Sequence, residues 1–120
     1  MTDLTVVAQK QLAQLRPPNT AAMTIVSKPA KSTILIKSIF IANTTNAVSN
    51  ISLFLDQNGT TYNQTTALLY NVAVSAYTTV ALDYSPGGIP IGADLTAGSL
   101  GVQIDVANAI TFSIFGQELR

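Results

Sequence analysis

The sequence predicts an all-β protein, an antiparallel β-sandwich or jelly roll of about seven or eight strands with an arm at its N-terminus. From residue 33 onward, apolar residues recur at every second position, which is the period of a strand with one buried face. Turn residues such as Pro, Gly, Asn and Asp separate these runs at roughly ten-residue intervals, with no helical stretch among them. A length of 120 residues suits a single domain.

Residues 1–21 form the predicted arm, and residues 22–120 form the predicted sandwich domain. The leucines and valines of the arm have a loosely helical spacing, and a Pro-Pro pair ends the segment. This pattern leaves a short helix, an added edge strand and an extended tail all open. Such an arm gains order by docking onto a neighbour, with a frayed terminus as the alternative. The residues expected to make its contacts are Leu4, Val7, Leu12, Leu15, Arg16, Pro17 and Pro18.

The strand at 33–41 departs from simple alternation because both of its predicted faces are apolar. Ile34, Ile36 and Phe40 are expected on one face. The opposite face would carry Leu35, Ile39 and Ile41. A doubly apolar strand in a two-layer domain predicts a contact with another subunit through this second face. Cover by the chain's own N-terminal segment is the other interpretation.

The later strands alternate cleanly, and each stripe is expected on a buried face. The stripes are Ile51, Leu53 and Leu55; Leu68, Tyr70, Val72 and Val74; Val80, Leu82 and Tyr84; Leu100, Val102, Ile104 and Val106; and Ile110, Phe112 and Ile114. The short segment 107–109 between the last two stripes predicts a hairpin loop. Asn58-Gly59 favours a type I′ hairpin turn.

Composition argues against several functional classes. Six Lys/Arg balance six Asp/Glu, and there is no His and no Cys. These absences exclude a Ser-His-Asp triad, a thiol nucleophile and the usual zinc sites, and the scattered carboxylates form no catalytic pair. We therefore expect no enzyme activity, no metal and no cofactor. Without a basic patch we also expect neither nucleic acid nor membrane as a partner.

A polar loop at 57–66 is the one candidate for ligand recognition in the sequence. Asn58, Thr60, Tyr62 and Asn63 supply hydroxyl and amide groups between two predicted strands. Loops of this composition bind carbohydrates or protein partners, or are simply solvated hairpin tips.

Several short motifs resemble those of small virion proteins of tailed phages, particularly cyanophages. They are Pro29-Ala30-Lys31-Ser32, the strand end Ile39-Phe40-Ile41-Ala42-Asn43-Thr44, Leu95-Thr96-Ala97-Gly98, and the ending Thr111-Phe112-Ser113-Ile114-Phe115-Gly116-Gln117-Glu118. The family patterns are P-A-G-K-T, I-x-V-x-N-T, L-x-A-G-D and F-G-x-E. This chain departs from them at Ala30-Lys31, which lacks the glycine, and at Ser99, which replaces the acidic residue.

The resemblance implies a β-sandwich structural protein at the virion surface, made in the cytoplasm of the bacterial host. Within that group it implies a capsid decoration, or cement, protein. Such a protein would form a homotrimer and stabilise the coat through its N-terminal arm, which would bind the major capsid protein or another virion protein. A head-fibre or tail-associated module that recognises a host glycan or receptor through the 57–66 loop is the alternative.

Overall fold

The computed structural model describes residues 6–28, 32–84, 87–91 and 98–119, with side chains from residue 10 onward. These residues form nine strands and no helix. The strands are β1 (Val6–Leu15), β2 (Met23–Ser27), β3 (Thr33–Asn43), β4 (Ser49–Asp56), β5 (Ala67–Val74), β6 (Thr79–Asp83), β7 (Ile89–Ile91), β8 (Ser99–Ile104) and β9 (Ile110–Leu119).

Two antiparallel sheets face each other. Sheet A has the order β1-β9-β3-β6, and β7 also pairs with β3, so β6 and β7 follow one another along the same side of that strand. Sheet B has the order β2-β8-β4-β5. The chain crosses repeatedly between the sheets, which is the arrangement of a jelly roll. The predicted all-β antiparallel fold class is confirmed.

The core lies between the two sheets and consists of Ile, Leu, Val and Phe side chains. Its fully buried members include Leu53, Leu100, Ile110, Phe112 and Ile114. The clean alternation of the last two strands therefore marked core positions correctly. Each such side chain contributes on the order of 1.5–3 kcal/mol through removal from water.

A β-bulge in β3 overturns the predicted faces of that strand. Ile36 pairs with Gly116 and Ser38 pairs with Phe115, so Lys37 has no partner residue on β9. One extra residue reverses the alternation from that point on. Ile39 and Ile41 consequently lie on the core side with Ile36, all fully buried. Their predicted role in contacts with another subunit is wrong, because no part of them is accessible.

A second bulge changes the faces of β5. Asn71 has a φ of 54°, and the pairing with β4 shifts register between Ile51 and Leu53 and again between Leu53 and Phe54. Leu68, Tyr70 and Val72 are 38%, 51% and 40% exposed, whereas Val74 is buried. The predicted buried stripe is therefore wrong for its first three members. Since β5 is the edge strand of sheet B, its outward side chains have no neighbouring strand to cover them.

Two turns predicted from the sequence also differ from those in the structure. Residues 107–109 connect β8 of sheet B to β9 of sheet A, so they form a crossover between layers and not a hairpin loop. Val106, which was assigned to the β8 stripe, lies after the strand and is exposed. Asn58 does not have the positive φ that a type I′ turn requires, so the Asn58-Gly59 prediction is wrong as well.

The predicted arm contributes a strand to the sandwich of its own chain. β1 pairs antiparallel with β9 along its whole length, from Val6 opposite Leu119 to Leu15 opposite Phe112. Among the three conformations left open by the sequence, the structure contains the added edge strand. Packing explains this outcome, because Leu12 and Leu15 are half-buried against the core.

Asn43 closes one end of the sandwich through its buried side chain, which is 2% exposed. Its Nδ2 donates to the carbonyl oxygens of Ala47 at 2.8 Å and Val74 at 3.0 Å. Its Oδ1 accepts from Thr45 N at 2.9 Å and Thr45 Oγ1 at 2.8 Å. One side chain thus ties the connection after β3 to the end of β5.

Replacing Asn43 with alanine is expected to lower the free energy of unfolding by about 2 to 3 kcal/mol, because buried backbone groups lose their partners. Urea unfolding of the purified protein measures the effect. Asn46→Ala, at an exposed position of the same connection, is the matched control. It should change the free energy of unfolding by less than about 0.5 kcal/mol. Equal effects of the two substitutions would contradict this role of Asn43.

Candidate functional site

The outer face of sheet A presents a pair of aromatic rings. Phe40 on β3 and Phe115 on β9 meet edge to face, with ring centroids 5.7 Å apart and an interplanar angle of 84°. They remain 39% and 36% exposed although they belong to the two central strands of the sheet. This position results from the Lys37 bulge, which turns Phe40 outward.

Uncharged residues flank the two rings across the strands. Ser113 and Ala81 lie opposite Phe40. Ser38 and Gln11 lie opposite Phe115. Gln14 Nε2 donates to Ser113 Oγ at 3.1 Å, so neighbouring polar groups are satisfied within the face. The residues paired directly with the two rings therefore carry no charge, and Asp83 lies on β6 opposite Ser38.

The predicted contact residues of the N-terminal segment have different surroundings. Leu12, Leu15 and the buried Pro17 are engaged within the chain, and Pro17 O accepts a hydrogen bond from Asn108 N at 2.9 Å. Arg16 and Pro18 are exposed. Val7 lies in β1 with its side chain outside the described part of the structure, and Leu4 lies outside the described residues altogether.

Leu35 is half-buried, and it alone of the three residues predicted for the outer side of β3 stays away from the core. It lies opposite Gln117 on β9 and Pro90 on β7. Of the predicted contact set, Leu35 thus keeps its outward position, whereas Ile39 and Ile41 are buried, and the exposed aromatic residues of this face are Phe40 and Phe115. The sequence does indicate the outward position of Phe115. Ile110, Phe112 and Ile114 alternate on the buried face of the last strand, so Phe115 falls on the opposite face.

The 57–66 loop folds back over the outer face of sheet B. The ring of Tyr62 stacks on Phe54, with centroids 5.8 Å apart and planes 24° apart. Gly101 leaves room for this ring, since a Cβ at that position would lie 2.7 Å from its carbon atoms. The Tyr62 hydroxyl contacts Thr24 Oγ1 at 2.6 Å and Ser99 Oγ at 2.7 Å. Tyr62 therefore anchors the loop, while Asn58, Thr60 and Asn63 stay exposed.

Asp56 fixes the start of this loop. Its carboxylate accepts hydrogen bonds from Asn58 N and Thr61 N, both at 2.9 Å. These two backbone donors hold the pKa of the Asp56 carboxyl below its usual value of 3.8, because they stabilise its charged form.

Tyr62→Phe is expected to lower the free energy of unfolding by about 1 kcal/mol, because the ring can still stack while the two hydroxyl contacts are lost. Chemical denaturation followed by circular dichroism provides the measurement. Tyr77→Phe serves as the control, since Tyr77 is 73% exposed, and it should have almost no effect. Equal destabilisation by both variants would show that the Tyr62 hydroxyl does not anchor the loop.

The Asp56 contacts also predict a dependence on pH. Because the carboxyl has a lower pKa in the folded state than in the unfolded state, its contacts favour folding above the usual carboxyl pKa. That contribution disappears as the pH falls through the folded-state pKa. An NMR titration of the Asn58 and Thr61 amide signals should show a midpoint below 3.8, absent in Asp56→Asn. A midpoint at or above that value would contradict the assignment.

Other kinds of site find little support in the described ranges. Those residues contain no group of three His, Cys, Asp or Glu side chains able to hold a metal ion. Within the same ranges, no helix has the length and apolar character needed to cross a membrane.

The chain matches no protein-family model and no curated protein. Its fold is similar to chains in solved structures of infectious bursal disease virus. The chain from the Gt strain is 14% identical, with a TM-score of 0.46 over 97% of this chain and 31% of that chain. For the Gx strain the identity is 12% and the TM-score 0.44, over 98% and 30% of the two chains. The present chain thus spans less than a third of those viral chains, and the likeness concerns the fold.

Proposed function

We propose that this chain is a non-enzymatic structural protein of a virion, a capsid decoration protein that forms a homotrimer and binds the major capsid protein at the particle surface. The observation that carries the proposal is the exposed Phe40–Phe115 pair at the centre of sheet A. The motif resemblance to small phage virion proteins supports the same assignment.

The composition around the aromatic pair is that of a protein interface. Interface centres are enriched in aromatic residues and depleted of charge, and an exposed apolar patch on a central strand pair has an energetic cost unless something covers it. Ser38, Ser113 and Gln11 add uncharged polar groups around the rings, and the carboxylate residue Asp83 lies opposite Ser38. Sheet A therefore offers a surface for another copy of the chain.

The edge of sheet A provides a separate means of attachment to the coat. β1 is the outermost strand, so its far side presents backbone N–H and C=O groups to whatever lies beside it. A strand from a neighbouring coat subunit can extend the sheet there by main-chain hydrogen bonds. Arg16 and Pro18, exposed just after β1, lie at the end of this edge.

Self-association is tested by the mass of the assembly in solution. We expect light scattering to give a trimer for the natural chain and a monomer for Phe40→Ser combined with Phe115→Ser. Val48→Ser, at a position 57% exposed away from the pair, is the control and should remain trimeric. A monomeric natural chain, or an unchanged mass in the double variant, would overturn the role of sheet A.

Location is tested on the particle. Antibody labelling and electron microscopy of virions should place the protein at regular positions on the head. Labelling confined to a fibre or the tail would contradict a decoration role and support the head-fibre or tail-associated module. Absence of the protein from purified particles would overturn the virion assignment.

A further inference from the structure

The outer face of sheet B, opposite the proposed trimer surface, contains two adjoining depressions of about 410 Å³ each. Tyr70 on β5 and Gln103 on β8 line both of them and so form their shared wall. We propose that this trough binds a neutral oligosaccharide. The proposal does not depend on the virion role, because it concerns another face and another ligand.

The trough owes its shape to two local features. The 57–66 loop, anchored by Tyr62, rises along one side and supplies Asn63 and Gln64 to the lining. The Asn71 bulge brings Tyr70 and Asn71 together at the other side, and Asn71 N donates to Ser52 Oγ at 2.9 Å, which holds the bulge in place. Bulges commonly redirect side chains in this way beside binding sites.

The polar groups of the lining can form hydrogen bonds with the hydroxyl groups of a ligand. Asn50 and Asn71 bring side-chain amides, each of which both donates and accepts hydrogen bonds. Gln103 Nε2 donates to Thr20 O at 3.1 Å, which orients the amide with its oxygen as a remaining acceptor. Asp105 uses Oδ1 for Ser49 Oγ at 2.8 Å and Asn50 N at 2.9 Å, so this carboxylate is positioned by two donors.

Tyr70 supplies the apolar part of the site. Its side chain is 51% exposed between the two depressions, so the ring is accessible to a ligand in either of them. A pyranose ring has an apolar face of C–H groups that packs on an aromatic ring, with hydroxyl groups around its edge. Amide groups on both sides of Tyr70, with the Asp105 carboxylate on one side, match that distribution.

The charge of the lining and the size of the depressions further restrict the class of ligand. Among the described residues, those that line the two depressions include one carboxylate, Asp105, and no Lys or Arg. A phosphate or an acidic sugar would find no cationic partner there, whereas a neutral sugar needs none. Each depression lies within the size range of small-molecule sites, and two of them side by side accommodate a chain of at least two sugar units.

The test uses the full chain, labelled for NMR, with maltotriose, cellotriose, triacetylchitotriose and mannotriose as probes. At least one should shift the amide signals of Tyr70, Asn71 and Gln103 with a Kd on the order of 1 mM or tighter. Tyr70→Ala should weaken binding of that probe by about tenfold or more. Asn71→Gly removes the amide while glycine keeps the positive φ, and it should also weaken binding.

Tyr77→Ala, which removes an exposed tyrosine that lines neither depression, should leave binding unchanged. Absence of shifts with all four probes at about ten times the expected Kd would overturn the proposal. Tighter binding of sialyllactose than of any neutral probe would overturn the assignment to neutral sugars. A change of assembly mass in Tyr70→Ala would show that this face is a contact between copies.

Discussion

Gly116→Ala is expected to cause one of the largest losses of stability among single substitutions in this chain. Gly116 lies in β9 at the centre of sheet A, opposite Ile36 on β3 and Lys10 on β1. A Cβ at this position would collide with the backbone carbonyl oxygen of Leu35 and lie 3.0 Å from Leu12 Cδ1. The carbonyl cannot rotate away as a side chain would, so the central strands themselves must separate.

We expect the free energy of unfolding to fall by about 3 kcal/mol or more, at the upper end of the usual cost of overpacking. Urea unfolding followed by circular dichroism measures it. Gly87→Ala is the matched control, because a Cβ there would meet nothing within 4 Å. If both alanine variants were as stable as the natural chain, the close approach of β3 and β9 at Gly116 would be refuted. This requirement also gives a physical reason for the glycine of the terminal Phe115-Gly116-Gln117-Glu118 motif.

Ile39→Ala should destabilise the protein by about 2 to 5 kcal/mol, because the fully buried side chain leaves a cavity between the two sheets. The adjacent substitution Phe40→Ala should cost only about 1 kcal/mol, mainly the loss of the edge-to-face contact with Phe115. Both values refer to protein dilute enough to be monomeric, so that the proposed self-association does not contribute.

The order of these two effects tests the bulge at Lys37 directly. Without the bulge, strict alternation would place Phe40 in the core and Ile39 outside, and the larger cost would then belong to Phe40→Ala. Ile114→Ala provides a further control, since Ile114 pairs with Ile39 and is equally buried. It should resemble Ile39→Ala in magnitude.

The candidate surfaces could be predicted only in part. The N-terminal leucines were recognised as contact residues, but the contacts of Leu12 and Leu15 are made within their own chain. Phe40 was assigned to the core, and Tyr70 to a buried stripe. Tyr62 was recognised in a candidate loop, yet its hydroxyl is engaged by Thr24 and Ser99. In each case the residue type was informative, and its partner was not readable from neighbouring positions.

The sequence by itself determined the fold class, because alternation with period two and regular turn residues leave few other ways to bury the apolar side chains. It also determined most of the core of β8 and β9, where no irregularity interrupts the pleat. The tertiary structure decided which face the other strands present. Single extra residues at Lys37 and Asn71 reverse the alternation. The first arises from pairing with β9, which is distant in sequence, and the second from pairing with the preceding strand β4. Pairing with β9 likewise made the N-terminal segment an edge strand and turned Phe40 toward the surface, and pairing with β4 did the same for Tyr70.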